Sequence, residues 1–385
     1  MKSYDVIIIG GGAAGLMAAR SALMRGKRVA VIDMGDRPGR KILASGGGRC
    51  NITNAAAAYD KYFGKNPMFV RGALARVSPR DILDWMARHK LRWTEKAAGQ
   101  YFCATGAADV VAALINDTKE AEFFKNTTVC DMQKTSDGFI VSGQGPRFYA
   151  KSVIVATGGI SFPTLGVSDA GYKIAKKFGH RIIPARPALC GIATNIFPTE
   201  LAGISMPVEI TIGREKITDS VLFTHFGIGG PAGYRTTVRD INSDIHINLM
   251  PANNIGDILR TLRQTAGRKT LSGGLSEYVP ARVAKWIAAG DGRNIADIPN
   301  TDIDKISARI HNIIIPADAI KFHNLQSAEV VRGGVDTADI SSKTMESKIC
   351  PGLFFAGEVM DIAGDLGGFN LHWAWASGTV AGMNA

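Results

Sequence analysis

Tyr4-Asp-Val-Ile-Ile-Ile-Gly10 runs directly into Gly11-Gly12-Ala13-Ala14-Gly15-Leu-Met-Ala-Ala-Arg20, and this junction decides the fold. The apolar run predicts a buried strand, and the alanine-rich stretch after the glycines predicts a helix. Gly10, Gly12 and Gly15 fit G-x-G-x-x-G. In a strand–turn–helix unit the first glycine permits the tight turn and the second lets backbone approach a pyrophosphate. The third lets the helix pack closely on the sheet. Free N–H groups and the positive dipole end at the helix N-terminus favour an anion there. A second apolar run, Arg28-Val-Ala-Val-Ile-Asp33, ends in the carboxylate expected to bind an adenosine ribose hydroxyl. A glycine turn alone is a weak signal. Flanked by both strands and Asp33, it outweighs the plain alternative of a glycine-rich turn in any α/β protein.

An acid at that position suits either NAD or the adenosine half of FAD. Three further segments bear on the choice. Gly39-Arg-Lys-Ile-Leu-Ala-Ser-Gly-Gly-Gly-Arg-Cys-Asn-Ile-Thr-Asn54 is a basic, glycine-rich loop suited to running along a long dinucleotide. Ser152-Val-Ile-Val-Ala-Thr-Gly-Gly159 reads as a buried strand breaking at a Thr-Gly turn. Gly352-Leu-Phe-Phe-Ala-Gly-Glu-Val-Met-Asp361 offers Glu358 or Asp361 to a ribityl chain, and Gly367-Gly-Phe-Asn-Leu-His-Trp-Ala-Trp-Ala-Ser-Gly378 follows it.

These segments resemble the YhiN/BaiN-like family of bacterial FAD flavoproteins. The family's G-R-K-I-L-x-S-G-G-G-R-C-N reads here as residues 39–51, and its L-F-T-H-x-G-I-x-G-P as residues 222–231. Its T-M-E-S-K…G-E-V-x-D…G-G-[YF]-N-x-Q-W-A-W reads as residues 344–375. The resemblance runs from residue 4 to the C-terminus. It implies FAD, held by Gly10, Gly12, Ala14, Gly15, Asp33, Arg40, Lys41, Ser45, Gly46, Gly48, Arg49, Asn51 and Val129 from the first part of the chain. Thr157, Gly158, Gly357, Glu358, Asp361, Gly368, Asn370 and Leu371 would complete that cradle. Members of the family include an aminoacetone oxidase, a reductase of bile-acid enones and an enzyme that reduces a uracil in ribosomal RNA. The resemblance therefore implies the cofactor more narrowly than the substrate. The chain departs from the pattern at His372, where the family has Gln, and at Arg332, where a small residue is expected.

A chain of 385 residues with 46% hydrophobic and 21% charged residues is that of a globular protein of two or three domains. Its five cysteines are widely spaced with no C-x-x-C pair, which argues against disulfides and zinc and for a reducing, cytoplasmic setting. No metal site is expected. Val6 to Ala19 is uncharged but broken by glycines, unlike a signal-peptide core, and no apolar run of ~20 residues could span a membrane. Charge is unevenly placed. Residues 1–100 hold 18 Lys and Arg against 7 Asp and Glu, and the remaining residues hold 27 of each. Residues 61–96 carry nine of these cations, Arg71 and Arg88 among them, with Tyr62, Phe63, Phe69, Trp85 and Trp93 interspersed. That suits a nucleic-acid surface. An amphipathic helix with its aromatics turned inward would account for it equally.

Cofactor motifs at both ends make the dinucleotide domain discontinuous. The expected class is α/β, a Rossmann-like FAD-binding domain of the two-dinucleotide-binding type with inserted β-rich and helical subdomains. The expected limits are 1–186 and 328–385 for the FAD domain, 187–250 for the β-rich insert, 251–312 for the helical one and 313–327 for the return segment. Alternation at 208–212 and 216–223 around Gly213-Arg214 predicts a hairpin. Residues 254–264, 280–289 and 302–311 predict helices.

No second dinucleotide motif stands out, so either NADH or NADPH docks transiently over the flavin as electron donor, or the flavin is reoxidised by oxygen. Cys103, His225 and His372 are the candidate proton donors, because a thiol or a near-neutral imidazole can protonate a carbanion. Each is equally readable as a structural side chain. Arg332 could face an anionic substrate. The expected activity is FAD-dependent hydride transfer from NAD(P)H to a polarised C=C bond, with a small molecule or ribosomal RNA uracil as substrate. An amine oxidase or enone reductase, and an RNA-binding protein with a structural flavin, are the rivals. Nothing in the sequence sets the oligomeric state.

Overall fold

Lys2–Ile9, unbroken by charge from Val6 onward, forms the middle of a seven-stranded sheet. The structure is a computed structural model that describes residues 1–143 and 145–385. The parallel strands stand in the order Glu122–Phe124, Val29–Ile32, Lys2–Ile9, Phe148–Val155, Leu353–Phe355. Ile9 lies opposite Ile32 and Val155, and Val155 opposite Phe355, so these strands end level. A hairpin of Val129–Lys134 and Phe139–Gly143 pairs antiparallel with the start of Phe148–Val155. This is a Rossmann-like α/β fold, with residues 6–9, 29–32, 153–155 and 353–355 buried on both faces of the sheet.

Ala13–Leu23, the helix after the glycine turn, packs against the C-terminal helix Phe369–Asn384. Small residues set the approach: a Cβ on Gly378 would lie 2.3 Å from Ala14 O, and one on Gly382 would lie 2.2 Å from Ala18 O. Residues 14 and 378, then 18 and 382, are level, so the two helices run parallel. A smaller sheet orders Asn51–Asn54, Gln100–Cys103 and Trp93–Lys96.

By contacts the chain divides into one unit of Met1–Pro187 and Ala328–Ala385 and another of Ala188–Ser327. The second has its own core. Ser205–Ile212 and Glu215–Thr224 form an antiparallel hairpin, flanked by Ile245–Asn248 and then Ile313–Ile315. Helices Ile255–Thr265, Ala281–Ala288 and Asn300–His311 bury Leu259, Val283, Ile287, Ile303 and Ile310 within that core.

The basic, aromatic segment resolves into two faces. Tyr62, Phe69 and Trp85 are buried, while Arg71, Arg76, Arg88, Lys90, Arg92 and Lys96 are exposed. Pro79–Arg88 is a helix begun by a capping box between Ser78 and Asp81, with Ile82, Leu83, Trp85 and Met86 inward. Trp85 Nε1 and Arg20 Nε both donate to Asp117, at 2.8 and 2.9 Å, which anchors this helix to the dinucleotide fold. Among the described residues no helix is long and apolar enough to cross a membrane.

Candidate active site

Four segments leave the carboxyl ends of the level strands side by side: Gly10–Gly15, the stretch from Asp33, Ala156–Gly159 and Ala356–Asp361. In doubly wound sheets ligands bind at this edge, where the strand order reverses, here between Lys2–Ile9 and Phe148–Val155.

The first turn shows why its glycines are needed. Gly10 has φ +108°, and a Cβ there would lie 2.4 Å from Ala156 O. A Cβ on Gly15 would meet Gly10 O at 1.8 Å. Gly12 differs, because nothing lies within 4 Å of the position its Cβ would take. That open space faces the N-terminus of Ala13–Leu23. Asp33 Oδ2 accepts from Gly11 N at 2.5 Å and Oδ1 from Gly35 N at 2.7 Å, with Arg40 Nη2 3.5 Å away. Thr127 N donates to Asp33 O at 2.9 Å, which brings the strand beginning at Val129 to the same corner. Ala14 abuts the second motif: a Cβ on Gly357 would lie 2.8 Å from Ala14 Cβ.

Glu358 and Lys41 join three motifs. Lys41 Nζ donates to Glu358 Oε2 and Ser161 Oγ, each at 2.7 Å, and Val331 N donates to Glu358 Oε1 at 3.0 Å. Asp361 is buried and accepts from the backbone of Lys65 at 2.8 Å and Gly333 at 3.0 Å. Arg40 Nη2 donates to Gly166 O at 3.2 Å. Ser45 Oγ donates to Ile42 O, and the backbone of Gly46, Gly47 and Gly48 passes in the left-handed region to exposed Arg49, over the ring of Phe102. Asn370 bonds both ways to Gly364, and Gly368 begins the C-terminal helix, with Leu371 half-buried on its first turn. Asn51 Oδ1, Thr157 Oγ1 and Tyr172 OH are buried with no hydrogen-bond partner. Burial, then the carboxylates of Glu358 and Asp361, raises the Tyr172 pKa, so its phenol stays a donor.

The parallel helices fix the length of the cradle. The C-terminal helix begins at Phe369, nine residues before Gly378, which is level with Ala14. The first helix begins one residue before Ala14, so at 1.5 Å per residue the C-terminal helix starts about 12 Å beyond the N-terminus of Ala13–Leu23. Two positive helix ends thus face the same way, one beside the Gly12 space and one further along. Phosphates suit the first, and a ring that takes on negative charge when reduced suits the second. With open backbone at Gly12 and Gly158 and unpartnered oxygens at Asn51 Oδ1 and Thr157 Oγ1, the residues present fit an elongated dinucleotide such as FAD.

The three candidate proton donors stand in different settings. Cys103 is fully buried on its strand, with its backbone N–H donating to Arg49 O at 3.0 Å and Cys50 O at 3.3 Å. Burial pushes the neighbouring Cys50 thiol up to about 12. His372 is also fully buried, with Nδ1 2.8 Å from Thr53 Oγ1. Burial pushes its imidazole down to about 4, so it is neutral at pH 7. His225 belongs to the 188–327 unit, is exposed, and packs edge-on to Phe226, whose ring stacks on His323 at 3.8 Å. Arg332 is 8% exposed in Val330–Val335, and Arg71 and Arg88 lie on the exposed face of their segment. Sequence reasoning missed Ser161, Tyr172 and Gln100, whose Oε1 accepts from Asn51 Nδ2 at 3.1 Å. No motif spacing marks them.

Comparison with known proteins agrees with this architecture. The family model described as "HI0933-like protein Rossmann domain" matches residues 4–384. The ribosomal RNA dihydrouridine synthase of Escherichia coli (strain K12) is 35% identical over 391 residues, covering 98% of this chain and 96% of that protein. The 3-dehydro-bile acid delta(4,6)-reductase of Clostridium scindens is 28% identical, covering 98% of each chain. Among solved structures, the 3-ketosteroid delta1-dehydrogenase of Sterolibacterium denitrificans superposes with a TM-score of 0.50 at 13% identity over 99% of both chains, a likeness of fold. The chain belongs to the HI0933-like Rossmann family and is an FAD-dependent oxidoreductase.

Proposed function

We propose that this enzyme reduces a polarised C=C bond, that of C5 and C6 in a uracil of ribosomal RNA, with NADH or NADPH as electron donor. The observation that carries the reading is the full-length identity with the Escherichia coli ribosomal RNA dihydrouridine synthase. The bile acid delta(4,6)-reductase supports the same bond chemistry on another substrate.

The uracil C4 carbonyl polarises the C5–C6 bond. Hydride adds at C6, negative charge moves to C5 and O4, and a proton at C5 completes dihydrouracil. Bound FAD supplies hydride chemistry. The chain supplies the rest. Gly12 leaves room for the pyrophosphate, and Asp33 shapes the adenosine corner through Gly11 and Gly35. Asn51 and Thr157 offer unpartnered oxygens to a ligand. Cys103 and His372 are buried within the dinucleotide unit, and His225 is exposed in the other unit. The proton at C5 is assigned to this set of three, Cys103, His225 and His372.

The test is anaerobic. Enzyme reduced with NADH or NADPH is mixed with unmodified ribosomal RNA, and the oxidised-flavin absorbance is followed. Recovery on RNA addition supports the reading. Recovery only with oxygen or a small enone refutes it and favours the small-molecule rival. Cys103→Ala, His225→Ala and His372→Ala are compared, and the variant that lacks the C5 proton donor should slow reoxidation roughly 10²–10⁴-fold, as for loss of a general acid. Unslowed reoxidation in all three would overturn the assignment to this set.

A further inference from the structure

We infer that the exposed face of residues 71–96 is the surface on which the RNA backbone docks, leading toward the loop that carries Asn51. The inference rests on the reading of ribosomal RNA as substrate.

Arg71, Arg76, Arg88, Lys90, Arg92 and Lys96 are all exposed, and they ride on the helix Pro79–Arg88 and its flanks. Among the described residues Arg76, Arg88, Lys90 and Arg92 form no ion pair within 4 Å. The nearby carboxylates are otherwise engaged. Asp60 pairs with Lys61 at 3.2 Å and Asp84 with Arg80 at 2.9 Å, Asp81 closes the capping box with Ser78 and feels the charge of Arg88, and Glu95 bonds the Tyr101 hydroxyl. The face therefore presents more cations than carboxylates, the footprint that a polyphosphate strand neutralises with release of counterions.

Two further features fit a single strand. Tyr59 is 45% exposed with the Arg71 guanidinium 5.4 Å from its ring centre, a platform on which a base can stack. The face is also continuous with the site. Trp93–Lys96 pairs with Gln100–Cys103, which pairs with Asn51–Asn54. The Lys96 ammonium and the Arg49 guanidinium both lie over Phe102, at 4.6 and 5.6 Å. One sheet thus connects the cationic face to the glycine loop before Asn51. The buried partners of this segment, Trp85 to Asp117 at 2.8 Å and Lys65 N to Asp361 at 2.8 Å, hold it to the dinucleotide fold. A docked strand would meet a rigid platform.

The experiment compares the full-length holoenzyme with two triple variants, using protein-free bacterial ribosomal RNA as probe. Arg76→Gln/Arg88→Gln/Arg92→Gln removes unpaired cations from the face. Lys119→Gln/Arg268→Gln/Lys285→Gln removes the same charge from exposed positions elsewhere. With about 0.7–0.9 counterions released per phosphate, the first triple should weaken binding about 10²-fold at 0.1 M salt and flatten the log–log salt slope by about 2–3. The second triple should change neither by more than about threefold, and Arg76→Lys/Arg88→Lys/Arg92→Lys should restore binding. FAD content reports that each variant is folded.

Equal weakening by the two Gln triples would overturn the inference in favour of diffuse attraction. So would undiminished binding by the first triple, or equal loss of binding to anionic phospholipid vesicles and to RNA. The proposed reaction fails separately. An enzyme that binds RNA through this face but forms no dihydrouracil refutes the substrate reaction, and one that forms it with the first triple unimpaired refutes only the surface.

Discussion

Gly12→Val separates cofactor binding from folding, and the structure says by how much. Gly12 caps the helix Ala13–Leu23 with φ −81° and ψ −167°, an extended conformation open to any L-residue. No atom lies within 4 Å of its Cβ position, so valine displaces nothing in the protein. Glycine is the better helix cap, and its loss costs about 0.5–1 kcal/mol. Binding is another matter. The methyls would occupy the space at the helix N-terminus proposed for the pyrophosphate, removing two charge-assisted hydrogen bonds worth roughly 1.5–3 kcal/mol each. A loss of about 3–6 kcal/mol weakens FAD roughly 10²–10⁴-fold. Gly15→Ala is the contrast, since its Cβ would sit 1.8 Å from Gly10 O and the turn cannot close. Purified protein, flavin absorbance against protein absorbance, and urea unfolding of the flavin-free form provide the readouts. Gly12→Val should be colourless yet unfold within about 1 kcal/mol of the flavin-free parent, whereas Gly15→Ala should not accumulate as folded protein. Normal flavin content in Gly12→Val would refute the placement of the phosphates.

Asp33→Asn keeps the shape but sets an amide N–H₂ against the N–H of Gly11 or Gly35, so FAD should bind about 10–100-fold more weakly by fluorescence titration. An unchanged Kd would show that this carboxylate does not shape the site. His372 makes stability depend on acid. Its folded pKa of about 4 lies below the ordinary histidine value, so the unfolded chain binds the extra proton. Stability from this group is complete above about pH 6.5 and is lost as pH falls toward 4, by at most about 3 kcal/mol. His180 and His311, also lowered by burial, act in the same direction. His372→Gln should flatten part of this acid limb in urea titrations between pH 4.5 and 7, and an unaltered limb would contradict the sealed, neutral imidazole. Glu358→Gln should lower FAD affinity and the melting temperature together, because Lys41 and Val331 N share that carboxylate. A fall in affinity alone would mean that the carboxylate serves the cofactor without holding the three motifs.

The dinucleotide fold was legible because four of its five parallel strands end in a turn with its own chemistry, at Gly10, Asp33, Thr157 and Gly357. A glycine whose Cβ would lie 2.4 Å from a carbonyl oxygen leaves a mark in the sequence. The hairpin around Gly213 was legible from strict alternation, with Val208, Ile210 and Ile212 turned into the core. The parallel packing of the first and last helices was not, because contact between Ala14 and Gly378 pairs positions far apart in sequence and small residues carry no periodic signal. The same limit hid Ser161 and Gln100, which act through partners more than forty positions away. In residues 61–96 the composition suited two readings, and the structure has the arrangement that the amphipathic one describes: Trp85 and Phe69 inward, the arginines outward.

The central claim is that this enzyme adds two hydrogens to a uracil of ribosomal RNA. The most direct measurement is nucleoside mass spectrometry of ribosomal RNA from cells with the gene intact, deleted, and restored as wild type or Gly12→Val. The account predicts a dihydrouridine, two mass units above uridine, that vanishes on deletion and returns with the wild-type gene but not with Gly12→Val. A dihydrouridine content that is the same with and without the gene would contradict it.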